Sequence, residues 1–268
     1  MNYATLTQCK RLLGLPDSVT ADDALLSRLI ADADRLISAY RNCKPQYATR
    51  LFDYVNALNL TFDDDLLEIT TLTNGDATTI SSNDYVFVPR RVYPKWGLEI
   101  KIGADVSFNY STSPESAISI SGTWGYHDDY INAWVSSRDA VADVGGINAS
   151  VTTITVSDAD GTSADLETPR FQAGNLIKID SEWCDVIAVT AGTTNTLTVV
   201  RGVNGTTAAS HSAGASISLY RPPITVIEAA MQYVKWRYDQ RINRGSAGFN
   251  VEIPADITAL LPAPLGAY

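Results

Sequence analysis

Apolar residues recur every three or four positions near both ends of the chain and at alternate positions between them. This pattern predicts helices flanking a long run of strands. Thr5, with Gln8 three residues on, has the form of a capping box, and Gly14 and Pro16 stop the helix it begins. A second helix follows Thr20. Asp22 and Asp23 lie in its first turn, where the helix dipole favours negative charge, and Leu25, Leu26, Leu29, Ile30, Ala33, Leu36, Ile37 and Tyr40 form one broad stripe. Asp22, Arg28, Asp32 and Arg35 fall off that stripe and are expected to face water; Pro45 bounds the segment. The last helix opens at Pro222 and Pro223, tolerated in a first turn because the missing N–H would have no intrahelical partner. Its stripe is Ile227, Ala230, Met231, Val234, Tyr238 and Ile242. Lys235, Arg237, Arg241 and Arg244 lie toward its C-terminal end, and Gly245 and Gly248 release it.

Between the helices the period changes to two. Residues 58–62, 66–72, 84–88, 98–102 and 117–121 read as strands, punctuated by Asn74-Gly75, Pro89, Pro94, Gly103 and Pro114. The run Asp63, Asp64, Asp65 lacks the spaced ligands and glycine of a calcium loop and reads as a solvated turn. Residues 127–220 are richer in Thr, Ser, Ala and Gly, and their short strand candidates at 152–156, 176–180, 183–189, 196–200 and 215–220 suggest a small barrel or sandwich. The expected fold class is α+β: a small helical host domain with a short β region, interrupted by an inserted all-β domain. The host takes residues 1–126 and 221–248, and the insertion takes 127–220. Residues 249–268 are apolar and broken by prolines. A loose tail is polar as a rule, so this one is expected to be an extended docking segment.

At 268 residues and 45% apolar content the chain can bury the core of one large or two modest domains. No apolar run approaches the roughly 20 residues of a membrane span, and the N-terminus lacks a basic start followed by an apolar core, so a cytosolic protein is expected. Cys9, Cys43 and Cys184 are odd in number and widely spaced, which points to buried structural thiols. His127 and His211 are the only histidines, which removes most metal-hydrolase and Ser–His chemistries. The formal charge is −10, and residues 127–220 hold eleven acidic groups against four basic ones. Such a surface repels phosphate and argues against tight nucleic-acid binding. The carboxylates at His127-Asp128-Asp129 and Asp180-Ser181-Glu182 assemble no nucleophile with its base. The first set alternates faces and the second sits at a hairpin. No catalytic residue, cofactor or metal site is predicted, and the chain is not expected to be an enzyme.

The ordered pieces resemble the head–tail adaptor (connector) proteins of tailed bacteriophages. The matching residues are the start Ala4-Thr-Leu-Thr-Gln-Cys-Lys10, the long helix ending Leu29 to Tyr40, the strand Gly122-Thr-Trp-Gly-Tyr126, and the helix carrying Pro223, Ile227, Ala230, Val234 or Lys235, and Tyr238. In that family the Gly-Thr-Trp-Gly-Tyr strand leads into the last helix; here residues 127–220 intervene, and parts of them (170–182 and 200–211) are similar to small β modules of phage structural proteins. The resemblance implies a virion protein of the head–tail interface, assembled in the host cytoplasm. It would form a dodecameric homo-oligomer ring between the portal protein and a tail or stopper protein. DNA would pass through without specific binding, and no membrane would be involved. By the same resemblance, Ile253, Pro254, Ile257, Leu260, Leu261, Pro262 and Leu265 would face the portal. Their apolar area and low ordering cost suit docking, although the segment can equally fold back over its own helices. Two other readings remain open: a tail-completion or stopper protein, and a glycan- or receptor-binding β module in which Trp134, Trp183 and Tyr220 are stacking platforms. Trp124 and Trp236 are assigned to the core.

Overall fold

Thr5 caps the first helix as its sequence predicts: its hydroxyl accepts the Gln8 amide while its own N–H donates to the Gln8 side chain. The computed structural model describes residues 1–242 and 252–263. Along the chain come α1 (Leu6–Leu12) and α2 (Asp23–Tyr40), then β1 (Gln46–Phe52), β2 (Asn59–Thr73), β3 (Tyr85–Val88), β4 (Lys95–Ile100) and β5 (Ile118–Trp124). A short 3₁₀ turn (Tyr130–Asn132) leads to β6 (Trp134–Ala140), β7 (Thr153–Thr155), β8 (Leu176–Ile179), β9 (Glu182–Thr190), β10 (Thr196–Val200) and β11 (Ser216–Tyr220). The helices α3 (Ile224–Ile242) and α4 (Ala255–Ala259) follow.

Two antiparallel sheets dominate, of order β1-β5-β2-β4-β3 and β6-β11-β8-β9-β10-β7. The protein is therefore mostly β, and the α+β expectation of a helical host carrying only a short β region is corrected. Two features made the strand content look smaller. The edge strands β1 and β6 carry Arg50, Arg138 and several hydroxyl side chains, so they lack a clean apolar alternation. The segments at 58–62 and 66–72 are one strand, β2, whose register shifts between Thr61 and Leu66 where the acidic run bulges. That run is not a solvated turn either: Asp65 is buried and holds Arg41 through two hydrogen bonds of 2.5 and 2.6 Å, and Asp64 pairs with Arg50.

Contacts divide the chain into two compact units, Met1–Tyr40 with Ile131–Ala263, and Arg41–Tyr130. These cuts fall elsewhere than the sequence-based ones at 126 and 221. The unit Arg41–Tyr130 has a core of its own, built from Phe52, Leu66, Leu72, Leu98, Ile120 and Trp124 among others. Trp124 is fully buried, and its indole N–H donates to the Ala48 carbonyl at 3.0 Å.

In the other unit the six-stranded sheet encloses Ile154, Phe171, Ile177, Ile179, Val186, Leu197, Ile217 and Leu219. Its first and last strands approach at one end, where the Ala142 amide donates to Thr155 O at 2.8 Å and Asp143 accepts both the amide and the hydroxyl of Thr155. The terminal helices belong with this sheet because its loops hold them. The Met1 ammonium pairs with Asp185 at 2.8 Å, Asn2 N–H donates to Gly174 O, Arg11 meets Glu167, and Arg221 pairs with Asp165. Helices α1, α2 and α3 pack on one another. The Leu26, Leu29, Ile30, Ala33 and Ile37 stripe of α2 is buried as patterned, whereas Tyr40 at its end is exposed. Tyr238 donates its hydroxyl to Asp22 at 2.5 Å, joining residues 216 apart in sequence.

Candidate functional site

The apolar C-terminal segment forms α4, a single turn that lies against α3. It is short for a local reason: Pro254 precedes it, and Leu261, as the residue before Pro262, is biased away from helical backbone. Ile257 and Pro262 are buried, while Ile253, Pro254, Leu260 and Leu261 are half-exposed. Leu265 lies outside the described residues. Among the predicted portal-facing residues, Ile257 serves the chain's own packing, and Ile253, Leu260 and Leu261 keep apolar surface accessible.

A groove of about 630 Å³ opens where α1 and the start of α3 meet the loop around residue 166. Its apolar lining is Leu12, Val135, Ile224, Ile227 and Met231. Its rim is charged but internally compensated: Arg221 grips Asp165 with two hydrogen bonds of 2.5 and 3.2 Å, and Arg11 faces Glu167 at 3.7 Å. Ile224 is 73% exposed at the mouth. Such a cleft accepts an apolar side chain of a protein partner and offers no free charge to orient a small polar substrate.

The acidic hairpin at 180–182 is tied into a buried network that the sequence did not reveal. Glu182 Oε1 accepts from Arg201 Nε (2.6 Å), the Gly202 amide (2.9 Å) and the Cys184 thiol (3.3 Å). Its Oε2 accepts from Arg201 Nη2 (2.7 Å), the Ala209 amide (2.8 Å) and His211 Nε2 (2.9 Å). His211 also reaches Asp180 through Nδ1 at 2.8 Å. Burial alone would raise the Glu182 carboxyl. The hydrogen bonds from Arg201, Ala209 and His211 outweigh that and hold it at about 2. Every acceptor position of this carboxylate is committed to the fold, so it has nothing to give a substrate. The remaining Arg201 donors tie down the Asn148, Val151 and Ala209 carbonyls, stapling the β6–β7 and β10–β11 connections together.

His127 is buried in a local turn, where its Nδ1 accepts the Asp129 amide at 2.9 Å and Asp128 stands off at 3.6 Å. Trp183 and Tyr220 are buried, with Trp134 between them at ring-centroid distances of 5.5 and 5.3 Å. These three rings pack together and leave no open face of Trp183 or Tyr220 for a sugar. Cys9, Cys43 and Cys184 are all buried, and burial pushes each thiol up to about 12. Among the described residues no helix is long and apolar enough to cross a membrane, and no cluster of metal-ligating side chains occurs. Comparison with known proteins finds no matching family model, curated protein or solved structure.

Proposed function

We propose that the chain is a structural virion protein, a head–tail adaptor that assembles into a ring joining the portal vertex to the tail and leaving a passage for DNA. The observation that carries this reading is the packing of α1 and α2 on α3, helices from opposite ends of the sequence closed by the Tyr238–Asp22 hydrogen bond. Each residue set behind the resemblance also falls on a matching element, in order. The capped start lies on α1, the helix running to Tyr40 is α2, Gly122 to Trp124 close β5, and Ile227, Ala230, Val234 and Tyr238 are buried on α3. The half-exposed Ile253, Leu260 and Leu261 beside α4 are the contacts available to a portal. Apolar side chains on a pre-folded turn add contact area without a large ordering cost.

The test is the mass of the complex formed with purified portal protein. A ring of this chain on the portal is expected, and Leu260→Asp with Leu261→Asp should abolish it while leaving the isolated protein folded. Failure of the unaltered chain to bind portal, or an undiminished complex with the double variant, would count against the assignment.

A further inference from the structure

We infer that the cleft beside a bulge in β6 binds a carboxylate, held by the Arg138 guanidinium, the serine hydroxyls around it and the Nε–H of Arg170. β6 and β11 are out of step there: Ser136 pairs with Ser218 and Asp139 with Ile217, so Ser137 and Arg138 have no counterparts on β11. Ser137 is buried and closes the gap, its hydroxyl donating to Ile217 O at 2.6 Å. Arg138 takes a φ of +61°, left-handed backbone that suits glycine or asparagine and strains an arginine. Its guanidinium is exposed and meets no hydrogen-bond, ionic or ring partner among the described residues. Bulges on edge strands re-aim side chains next to functional sites, and strained backbone persists where it serves one.

The cleft measures about 530 Å³, and the fold already engages both of its carboxylates. Asp139 Oδ1 accepts the Ala140 (2.8 Å) and Ser157 (3.1 Å) amides, and its Oδ2 accepts the Asp158 amide at 2.8 Å. Asp158 accepts the Gly161 amide through Oδ1 and Arg170 Nη2 through Oδ2, each at 3.0 Å. Arg170 also donates from Nη1 to Arg138 O at 3.1 Å, tying the bulge to the second arginine. What remains open is donors. The Ser157 and Ser216 hydroxyls have no partner among the described residues, and that of Ser136 only accepts, from the Arg138 amide. The Arg170 side chain is 10% exposed, and its buried Nε–H has no acceptor. A buried donor without an acceptor is costly, so a ligand oxygen that reaches it gains more than an exposed contact would give.

These open groups select the ligand. A cation finds both carboxylates engaged and meets Arg138. Locally Arg138 and Arg170 balance Asp139 and Asp158, so the cleft takes one negative charge more readily than the two of a phosphate. The two oxygens of a carboxylate also match a planar guanidinium bidentately. No lining side chain is aromatic, so a sugar or base has nothing to stack on. The net charge of −10 acts against any anion at long range, but at physiological ionic strength exposed charges beyond about 8 Å are largely screened. The site does not depend on the adaptor reading, because no residue of α1, α2, α3 or α4 lines it.

Titration of the full chain with acetate at constant ionic strength, followed by proton–nitrogen correlation NMR, tests the site. The Arg170 Nε–H signal and the Ser157 and Ser216 amides are expected to shift together and to saturate in the millimolar range. Arg138→Gly removes the guanidinium and accepts the left-handed backbone. It should therefore keep or raise the thermal midpoint while weakening acetate binding about tenfold or more. A response with no saturation by about 0.1 M acetate, or equal saturation in the Arg138→Gly variant, would overturn the proposal. So would tighter binding of inorganic phosphate at the same ionic strength, which would make the cleft a site for a dianion. A capped aspartyl peptide separates the sources of the carboxylate. Tighter binding than acetate assigns the site to a protein partner and weaker binding assigns it to a free acid, and either result keeps the site.

Discussion

Glu182 accepts six hydrogen bonds on its two oxygens, three of them from the buried side chains of Arg201 and His211. Replacing it with Gln leaves Arg201 buried without its counter-charge, so Glu182→Gln is expected to cost about 3–5 kcal/mol by urea denaturation. The pH dependence has a definite sign. The carboxyl is lowered from 4.5 to about 2 in the folded protein, so its contribution is complete above about 4.5 and is lost as pH falls toward 2. The parent should therefore lose stability over that window, and the Gln variant should lack that part of the decline. None of this network was legible in the sequence. Asp180 and Glu182 lie at the β8–β9 hairpin and Arg201 and His211 in the β10–β11 connection, 19 to 31 residues away, and the only local signal was a polar turn. The burial of Cys184 was readable from cysteine spacing, but its thiol contact to Glu182 was not.

At the scale of elements, side-chain period located α2 well because it buries a single stripe, whereas α4 falls in a segment expected to be extended. The α2 pattern named five residues that are fully buried, and the Thr5–Gln8 capping box was readable because its partners are three residues apart. Strands fared worse wherever pairing, rather than alternation, defines them. The edges β1 and β6 are half polar, and β2 crosses an acidic bulge that looks like a turn until Arg41 and Arg50 are seen to neutralise it. Why the Gly-Thr-Trp-Gly-Tyr strand needs its first glycine is also a matter of pairing. A Cβ on Gly122 would sit 2.1 Å from Glu68 O, where β2 shifts register against β5. Gly122→Ala should therefore lose about 1–3 kcal/mol or more through overpacking against backbone. Gly103→Ala, which meets open space, should be near neutral in the same denaturation assay.

For the whole molecule, the unit Arg41–Tyr130 pairs all five of its strands internally and fills its core with its own side chains. A fragment of residues 41–130 is expected to fold alone, with dispersed amide NMR resonances and a cooperative thermal transition; a molten fragment would show that this core leans on the rest of the chain. The other unit is the opposite case, because its helix layer combines α1 and α2 with α3 from the far end. A ribosome adding about 5–20 residues per second needs roughly 10–40 s to travel from Asp22 to Tyr238, which lie 216 positions apart. Throughout that interval the face of α2 that α3 will cover has no mate beyond α1, so the newborn polypeptide must be shielded by a chaperone or by transient collapse until synthesis is nearly over.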